Sequence, residues 1–382
     1  RTPADLGAIY DRMTRTRARV FKIAARANAI TDCVGVVRLL ERARRDGREL
    51  IAVSMGEAGL LTRVLAPSRG SFLTYGSLDA AHATAPGQIT ARELRELYRV
   101  PLVNARTLIT GLAGSPVSHS LSPRIHNSAF RALGLDAVYI PFEVADVSDF
   151  VLRMVRPSTR ELSWSLRGFS VTAPHKTSFM SHLDWIEKTA REIGAVNTVV
   201  IEGDELRGYN TDAAAALKPL DGLMNPRGTR VAIIGAGGAA RALLWSLREH
   251  GARSTVFARD VERARATARD FGAEPAQVEG ASFDGFDLVV NATPLGTRGA
   301  SERETPATVA QLRGARVAYD LVYNPRETRF LREASAAGCA TVGGLSMLVA
   351  QAAAQLKLWT GLDAPLASMK AAVEEQMSDT FC

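Results

Sequence analysis

The chain has 382 residues, 46% of them hydrophobic, enough for two or three cores at about 100–200 residues per domain. No run approaches the ~18 consecutive apolar residues of a membrane span, and three distant cysteines, Cys33, Cys339 and Cys382, suit a reducing cytoplasm rather than a disulfide framework. The net charge of +7 comes from scattered arginine, with only 6% aromatics; that fits an enzyme of small anions rather than a nucleic-acid protein.

Residues 4–46 read as helix, strand, helix, with "VFKIAA" (20–25) as the strand and Thr31 or Asp32 as N-cap of the second helix. "LIAVSMG" (50–56) is a second strand, "GSFLTYGS" (70–77) a third, and "TARELRELYRV" a closing helix. Strands alternating with helices mean parallel β/α units. Three open units cannot cover both edges of a sheet, so this front segment reads as incomplete. Near 103–106 the character changes, and "TLITGLAGSP" opens a new strand and glycine turn. Mixed α/β character continues to about Asp212. From Arg230 the pattern is strand 230–235, helix 238–250, strand 254–258, helix 260–271, then strands 287–291 and 316–320. That is a doubly wound nucleotide fold. Two helices, "GLSMLVAQAAAQLKLWTG" and "PLASMKAAVEEQM", end the chain.

The turn Gly235-Ala236-Gly237-Gly238-Ala239-Ala240 follows a β-branched strand and opens a helix. It departs from G-x-G-x-x-G only by a final alanine, which the pattern tolerates. The helix N-terminus then faces a pyrophosphate. The next strand ends in Arg259 and Asp260. An arginine there suits the 2′-phosphate of NADP, whereas an aspartate suits the ribose of NAD. Asp260 also fits as N-cap of the following helix, which leaves Arg259 and NADP favoured.

Four stretches ahead of this turn carry polar groups suited to a small polyhydroxylated acid: "SPVSHSLSP" (115–123), "GFSVTAPHK" (168–176), "GAVNT" (194–198) and "GYNTD" (208–212). Each alone reads as a cap, a surface lysine or a turn. In this order, and with "NATPLGT" (291–297), "YDLVYNP" (319–325) and "GLSMLVAQAA" (344–353), residues 107–375 resemble shikimate dehydrogenase. The resemblance implies that Ser120 and Ser122 bind a carboxylate with Tyr323 nearby, and that Thr172, Asn197 and Gln351 hold ring hydroxyls. It makes Lys176 and Asp212 the catalytic pair. It places NADP on residues 235–239, Arg259, Asn291, Thr293, Gly344 and Met347. Hydride transfer from a ring carbon requires a proton moved at the same oxygen, and a lysine can exchange or electrostatically stabilise it. No metal is required, and His119 and His175 read as structural or peripheral. Ala258 and Asp260 depart from the family's "NRT", and Ser170 stands where many members have asparagine.

Residues 1–99 resemble the last part of a type I dehydroquinate dehydratase, a (β/α)8 barrel. "FKIAARA" makes Lys22 the Schiff-base match, "SMGEAGLLTRV" makes Arg63 the carboxylate match, and "TAPGQIT" supplies Thr84 and Gln88 as the lid. A strand-borne lysine at the open end of a barrel suits imine chemistry. The upstream half of that barrel, with its catalytic histidine, is not in this sequence. The chain also opens without methionine, so it is expected to be a fragment resembling the fused dehydratase–dehydrogenases, active as a dehydrogenase only. The expected domains are 1–102, a partial barrel; 103–227 plus 344–382, the substrate domain; and 228–343, the Rossmann NADP domain. The expected setting is cytoplasmic, or plastidic for a plant source. Competing expectations are an NAD-dependent quinate/shikimate dehydrogenase and a nucleotide-binding protein without catalysis.

Overall fold

A computed structural model describes residues 5–79 and 81–378 of the chain, with side chains to residue 375. Contacts divide it into two units. The first holds the described residues within 1–186, 198–208 and 358–373, and the second those within 187–197, 209–357 and 374–378. Among the described residues no helix is long and apolar enough to cross a membrane.

The first unit begins with helix Leu6–Thr14, strand β1 (Val20–Arg26), helix Cys33–Arg45 and strand β2 (Glu49–Met55), which pairs parallel to β1. On β1 the residues alternate: Phe21, Ile23 and Ala25 are buried, and Lys22, Ala24 and Arg26 are exposed. Phe21 and Ile23 share a core with Tyr10, Leu39, Leu40, Leu50 and Ala52. Asp32 does not cap the second helix through its side chain. Its carboxylate instead accepts from the Asn28 and Ala29 amides, 2.8 and 3.3 Å away, across the preceding turn.

The expected third strand at 70–77 does not form. Only single bridges, Leu50 to Ser71 and Ser77 to Thr90, connect this stretch to its neighbours. Side chains divert the local backbone: Ser71 bonds the Leu73 carbonyl and Thr74 the Arg63 carbonyl. The closing helix shrinks to a π-turn over Glu93–Leu97, and Arg99, at φ 51°, ends it.

The same unit contains a six-stranded sheet built from β3 (Leu108–Gly114), β4 (Ala137–Glu143), β5 (Leu166–Val171), β6 (Trp185–Ile186), β7 (Thr198–Glu202) and β8 (Glu205–Tyr209). Its order is β4-β3-β5-β7-β8-β6, parallel across β4, β3 and β5 and antiparallel between β5 and β7. Polar bonds join the front segment to it. Arg38 bonds Glu161 at 2.9 Å, the buried Arg69 donates to the Ser163 carbonyl at 2.7 Å, and Arg124 bonds Glu93 at 3.4 Å. Helix Leu60–Leu65 packs on β4.

The second unit holds a parallel sheet of β9 (Arg230–Ile234), β10 (Arg253–Ala258), β11 (Glu274–Gln277), β12 (Leu288–Asn291), β13 (Val317–Asp320) and β14 (Ala340–Val342). The order β11-β10-β9-β12-β13-β14 reverses direction of growth beside β9, which is the switch point where such folds bind nucleotides. Alternate residues of β9 feed two cores. Val231 and Ile233 pack with Leu243, Leu247 and Leu288, while Ala232 and Ile234 pack with Phe257, Phe283 and Phe330. Residues buried on both faces account for the apolar runs that reveal these strands in the sequence.

Candidate active site

In the first unit, β3 delivers the chain into the serine loop. A Cβ on Gly114 would meet the Thr172 Cγ2 at 2.3 Å, so glycine allows the two strand ends to meet. Ser120 and Ser122 face each other with their hydroxyl oxygens 3.1 Å apart, and the Ser122 amide donates to Ser120 Oγ at 3.2 Å. Ser122 is buried at the first turn of helix Ser122–Ala132. Thr172 continues β5, its amide donating to the Ala113 carbonyl at 2.9 Å. His175 Nε2 donates to the Val144 carbonyl at 2.8 Å, so it anchors the loop that presents the half-buried Lys176. Ser170 Oγ accepts from the Tyr139 hydroxyl at 2.8 Å.

The second unit brings Asn197 and Asp212 together, fifteen residues apart in sequence. Asn197 Nδ2 donates to Asp212 Oδ1 and to Thr211 Oγ1, both at 2.9 Å, and its Oδ1 accepts from the Thr211 amide at 2.8 Å. Asn210 braces the same turn, bonding the Ala195 carbonyl and the Ala213 amide at 2.8 and 3.2 Å. Asp212 is 5% exposed and opens helix Asp212–Ala216. A buried carboxylate needs such donors. Its charge reaches Tyr319, whose phenol is pushed up first by burial, then by Asp212 and Asp320. Gln351 turns its amide to the Leu348 carbonyl at 2.9 Å. Thr211 carries no role in the sequence-based expectations; its place between Asn210 and Asp212 in "GYNTD" is the signal that points to it.

The glycine turn leaves β9 at Gly235, where φ is 118° and an added Cβ would lie 2.8 Å from the Ala292 carbonyl oxygen. Around Gly237 an added Cβ would meet nothing within 4 Å. Helix Gly238–Glu249 has no side-chain cap and no acidic residue in its first turn. Its first amides therefore suit a dinucleotide pyrophosphate. Arg259 is exposed directly after β10 and makes no ion pair among the described residues. Asp260 is the N-cap of helix Val261–Phe271; its Oδ1 accepts from the Glu262 and Arg263 amides at 3.0 and 3.2 Å.

Beyond β12, Asn291 Oδ1 accepts from the Thr293 amide and hydroxyl at 3.0 and 2.7 Å. Asn291 Nδ2 donates to the Leu295 carbonyl at 3.0 Å and to Asp320 Oδ1 at 2.9 Å. Asp320 is fully buried, and burial pushes its carboxyl up to about 6 against the hydrogen bonds of Thr328, Val322 and Asn291. Asp320 lies within the motif "YDLVYNP", yet the motif alone gives it no part. Tyr323 follows, half-buried. Gly344 passes so close to β13 that a Cβ would be 2.5 Å from the Leu321 carbonyl oxygen, and Met347 is buried among the β9 core residues.

In the front segment Lys22 Nζ lies 4.3 Å from the Tyr75 ring centroid. Arg63 is 2% exposed and donates to the Tyr75 carbonyl at 3.4 Å, with its Nε unpartnered among the described residues; burial lowers its pKa. Gln88 Oε1 accepts from the Thr84 amide and hydroxyl at 2.8 and 3.0 Å.

The family models that match are type I 3-dehydroquinase over residues 1–104, the shikimate dehydrogenase substrate-binding domain over 112–199, a putative NAD(P)-binding domain over 223–330 and the shikimate 5′-dehydrogenase C-terminal domain over 344–374. A chloroplastic bifunctional 3-dehydroquinate dehydratase/shikimate dehydrogenase of Arabidopsis thaliana is 34% identical over 94% of this chain, which spans 61% of that relative's length. The shikimate dehydrogenase (NADP(+)) of Methanothermobacter thermautotrophicus is 37% identical over 72% of this chain and 99% of its own. A crystal structure of shikimate 5-dehydrogenase from Thermus thermophilus, in complex with NADP(H) and shikimate, superposes with a TM-score of 0.62 at 37% identity, covering 70% of this chain and 99% of that one.

Proposed function

The chain belongs to the shikimate dehydrogenase family, and on that premise we propose that it interconverts 3-dehydroshikimate and shikimate with NADP, in the route toward chorismate and aromatic amino acids. The observation that carries the reading is the buried Asn197–Thr211–Asp212 cluster, in the same unit as an uncapped glycine turn. The cofactor, when bound, supplies or accepts a hydride at its nicotinamide.

Residues 235–239 hold the pyrophosphate, and Arg259 meets the 2′-phosphate. Asn291, Thr293 and Gly344 line the cofactor side, and Met347 packs near the nicotinamide. Ser120 and Ser122, already paired, present hydroxyls to the substrate carboxylate together with Tyr323. Thr172, Asn197 and Gln351 meet the ring hydroxyls, Asn197 while still bonded to Asp212. Lys176 exchanges the proton of the reacting hydroxyl, or stabilises its developing negative charge. Asp212 is the other member of the catalytic pair and orients that hydroxyl. We assign the functional segments as 1–102, 103–227 with 344–382, and 228–343. The buried free thiols Cys33 and Cys339 suit a reducing compartment such as the cytoplasm.

The Asp260 carboxylate is engaged as a helix cap rather than as a ribose ligand, which leaves the cofactor preference to Arg259 and NADP. The test is steady-state oxidation of shikimate with NADP and with NAD, for the native chain and Arg259→Ala. The reading expects a preference for NADP that shrinks in the variant through KM. Equal or better turnover with NAD would support the quinate/shikimate rival. NADP binding without turnover of any hydroxy acid would support a non-catalytic binding protein.

A further inference from the structure

We propose that Asp320 is a positioning residue that fixes two site loops in one register, and that it governs cofactor and substrate affinity without touching either. The inference rests on the function proposed above, and it adds a residue to which no part has been given.

The geometry starts at the ends of two neighbouring strands. β12 ends at Asn291 and β13 at Asp320, and these two residues are paired in register. Each is followed by a loop assigned to the site: 292–297, carrying Thr293, and 321–328, carrying Tyr323. Neither loop is a regular element, so side chains must hold it. Asp320 supplies acceptors on both sides. Its Oδ1 takes Asn291 Nδ2 and the Val322 amide, both at 2.9 Å, and its Oδ2 takes the Thr328 hydroxyl at 2.5 Å. The partners pass the constraint outward. Asn291 fixes Thr293 through two bonds, and the Thr293 hydroxyl accepts from the Leu295 amide at 3.2 Å. Thr328 Oγ1 accepts from the Leu331 amide at 3.2 Å and so caps helix Arg329–Ala336. One carboxylate thus joins the end of β12, the start of the loop bearing Tyr323, and the helix beyond it.

Its chemistry is well suited to that task. Asn291, Asp320 and Thr328 are each 0% exposed, so water cannot replace a lost partner. A neutral side chain of the same shape can keep only part of the pattern, and a small apolar one keeps none. Buried networks of this kind act as units, because stranding one donor strands the next.

The experiment uses the full chain with Asp320→Ala, Asp320→Asn and Thr328→Val. Three quantities are read: hydrogen exchange at the Thr293, Leu295, Val322 and Leu331 amides, the Kd for NADP by titration calorimetry, and the KM for shikimate. For Asp320→Ala we expect faster exchange at the first three amides, a Kd for NADP raised about tenfold or more, a raised KM for shikimate and a smaller change in kcat. Asp320→Asn keeps an acceptor for Asn291 and Val322, and should bring the Kd within about threefold of the native value. Thr328→Val should speed exchange at Leu331 and raise the KM for shikimate more than the Kd for NADP. Should Asp320→Ala fail to fold, the other two variants carry the same contrast. A folded Asp320→Ala with native exchange, or with Kd and KM within twofold of native, overturns the proposal. So does an Asp320→Asn as impaired as the alanine variant. The exchange readout needs no ligand, so a native chain that turns over no shikimate defeats the functional reading while the amides still decide the register.

Discussion

Asn197→Ala removes the side chain that holds Asp212 in place. In the native chain its amide nitrogen donates to Asp212 Oδ1 and Thr211 Oγ1, and its oxygen accepts from the Thr211 amide. Asn197 is 2% and Asp212 5% exposed, so solvent reaches the vacated partners poorly. Removing the partner of a buried polar group costs about 1–3 kcal/mol, and two groups lose this partner here, the Thr211 amide and Asp212 Oδ1, giving about 2–6 kcal/mol. For a unit of this size each kcal/mol lowers Tm by about 2–4 °C, so a fall of about 4–24 °C is expected. Thermal unfolding followed by circular dichroism measures it, and kcat for shikimate oxidation below the transition should fall with it, because Asp212 loses one of the bonds that orient it. Asn197→Asp provides a sharper case, since it sets a second carboxylate against Asp212. A Tm fall of less than about 2 °C together with native kcat would refute the argument that this cluster is both buried and functional.

Other consequences can be measured on the same material. Gly235→Ala puts a Cβ at 2.8 Å from the Ala292 carbonyl oxygen on a backbone with φ of 118°; a strain of about 1–3 kcal/mol is expected, with a weaker NADP Kd by calorimetry. Asp260→Ala removes a helix cap and should lower stability by about 1 kcal/mol in urea unfolding, while leaving the NADP over NAD preference unchanged. Asp320 titrates near 6 in the folded chain against an ordinary value of 3.8. The folded state therefore holds this proton more tightly than the unfolded state. The associated stability is fully present below about pH 4 and is lost as pH rises through about 6, on the order of 3 kcal/mol over that window. Carboxylates such as Asp287 and Glu161, which are held low by arginine and amide partners, act in the opposite direction, so the quantity to measure is native minus Asp320→Asn stability. It should decline between about pH 4 and 7, and a flat difference would contradict the assignment.

Features set by short-range rules were the legible ones. The turn at 235–240 and the Asp260 cap follow from residues within one helix turn of each other. The strands β9, β12 and β13 stand out because both faces are buried, which makes them mostly apolar runs. β11 (Glu274–Gln277) and β14 (Ala340–Val342) leave little trace because they are short edge strands, and β11 contains a proline. The stretch 70–77 carries strand-like residues, but a strand also needs a hydrogen-bonded neighbour along its length, and here it has single bridges instead. The Asn197–Asp212 pair and the Asp320 network depend on how distant segments meet, which spacing does not encode. Arg63 shows the same limit. Its motif matches a carboxylate ligand, and the burial of its guanidinium beside the Tyr75 carbonyl is visible only in the folded chain.

The most direct test of the central claim is the initial rate of NADP reduction with shikimate for the native chain and for Lys176→Ala, with NADP affinity measured in parallel. The account predicts turnover in the native chain and a collapse of kcat in the variant, with NADP still bound. Native kcat in Lys176→Ala, or no turnover in a native chain that binds NADP, would contradict it.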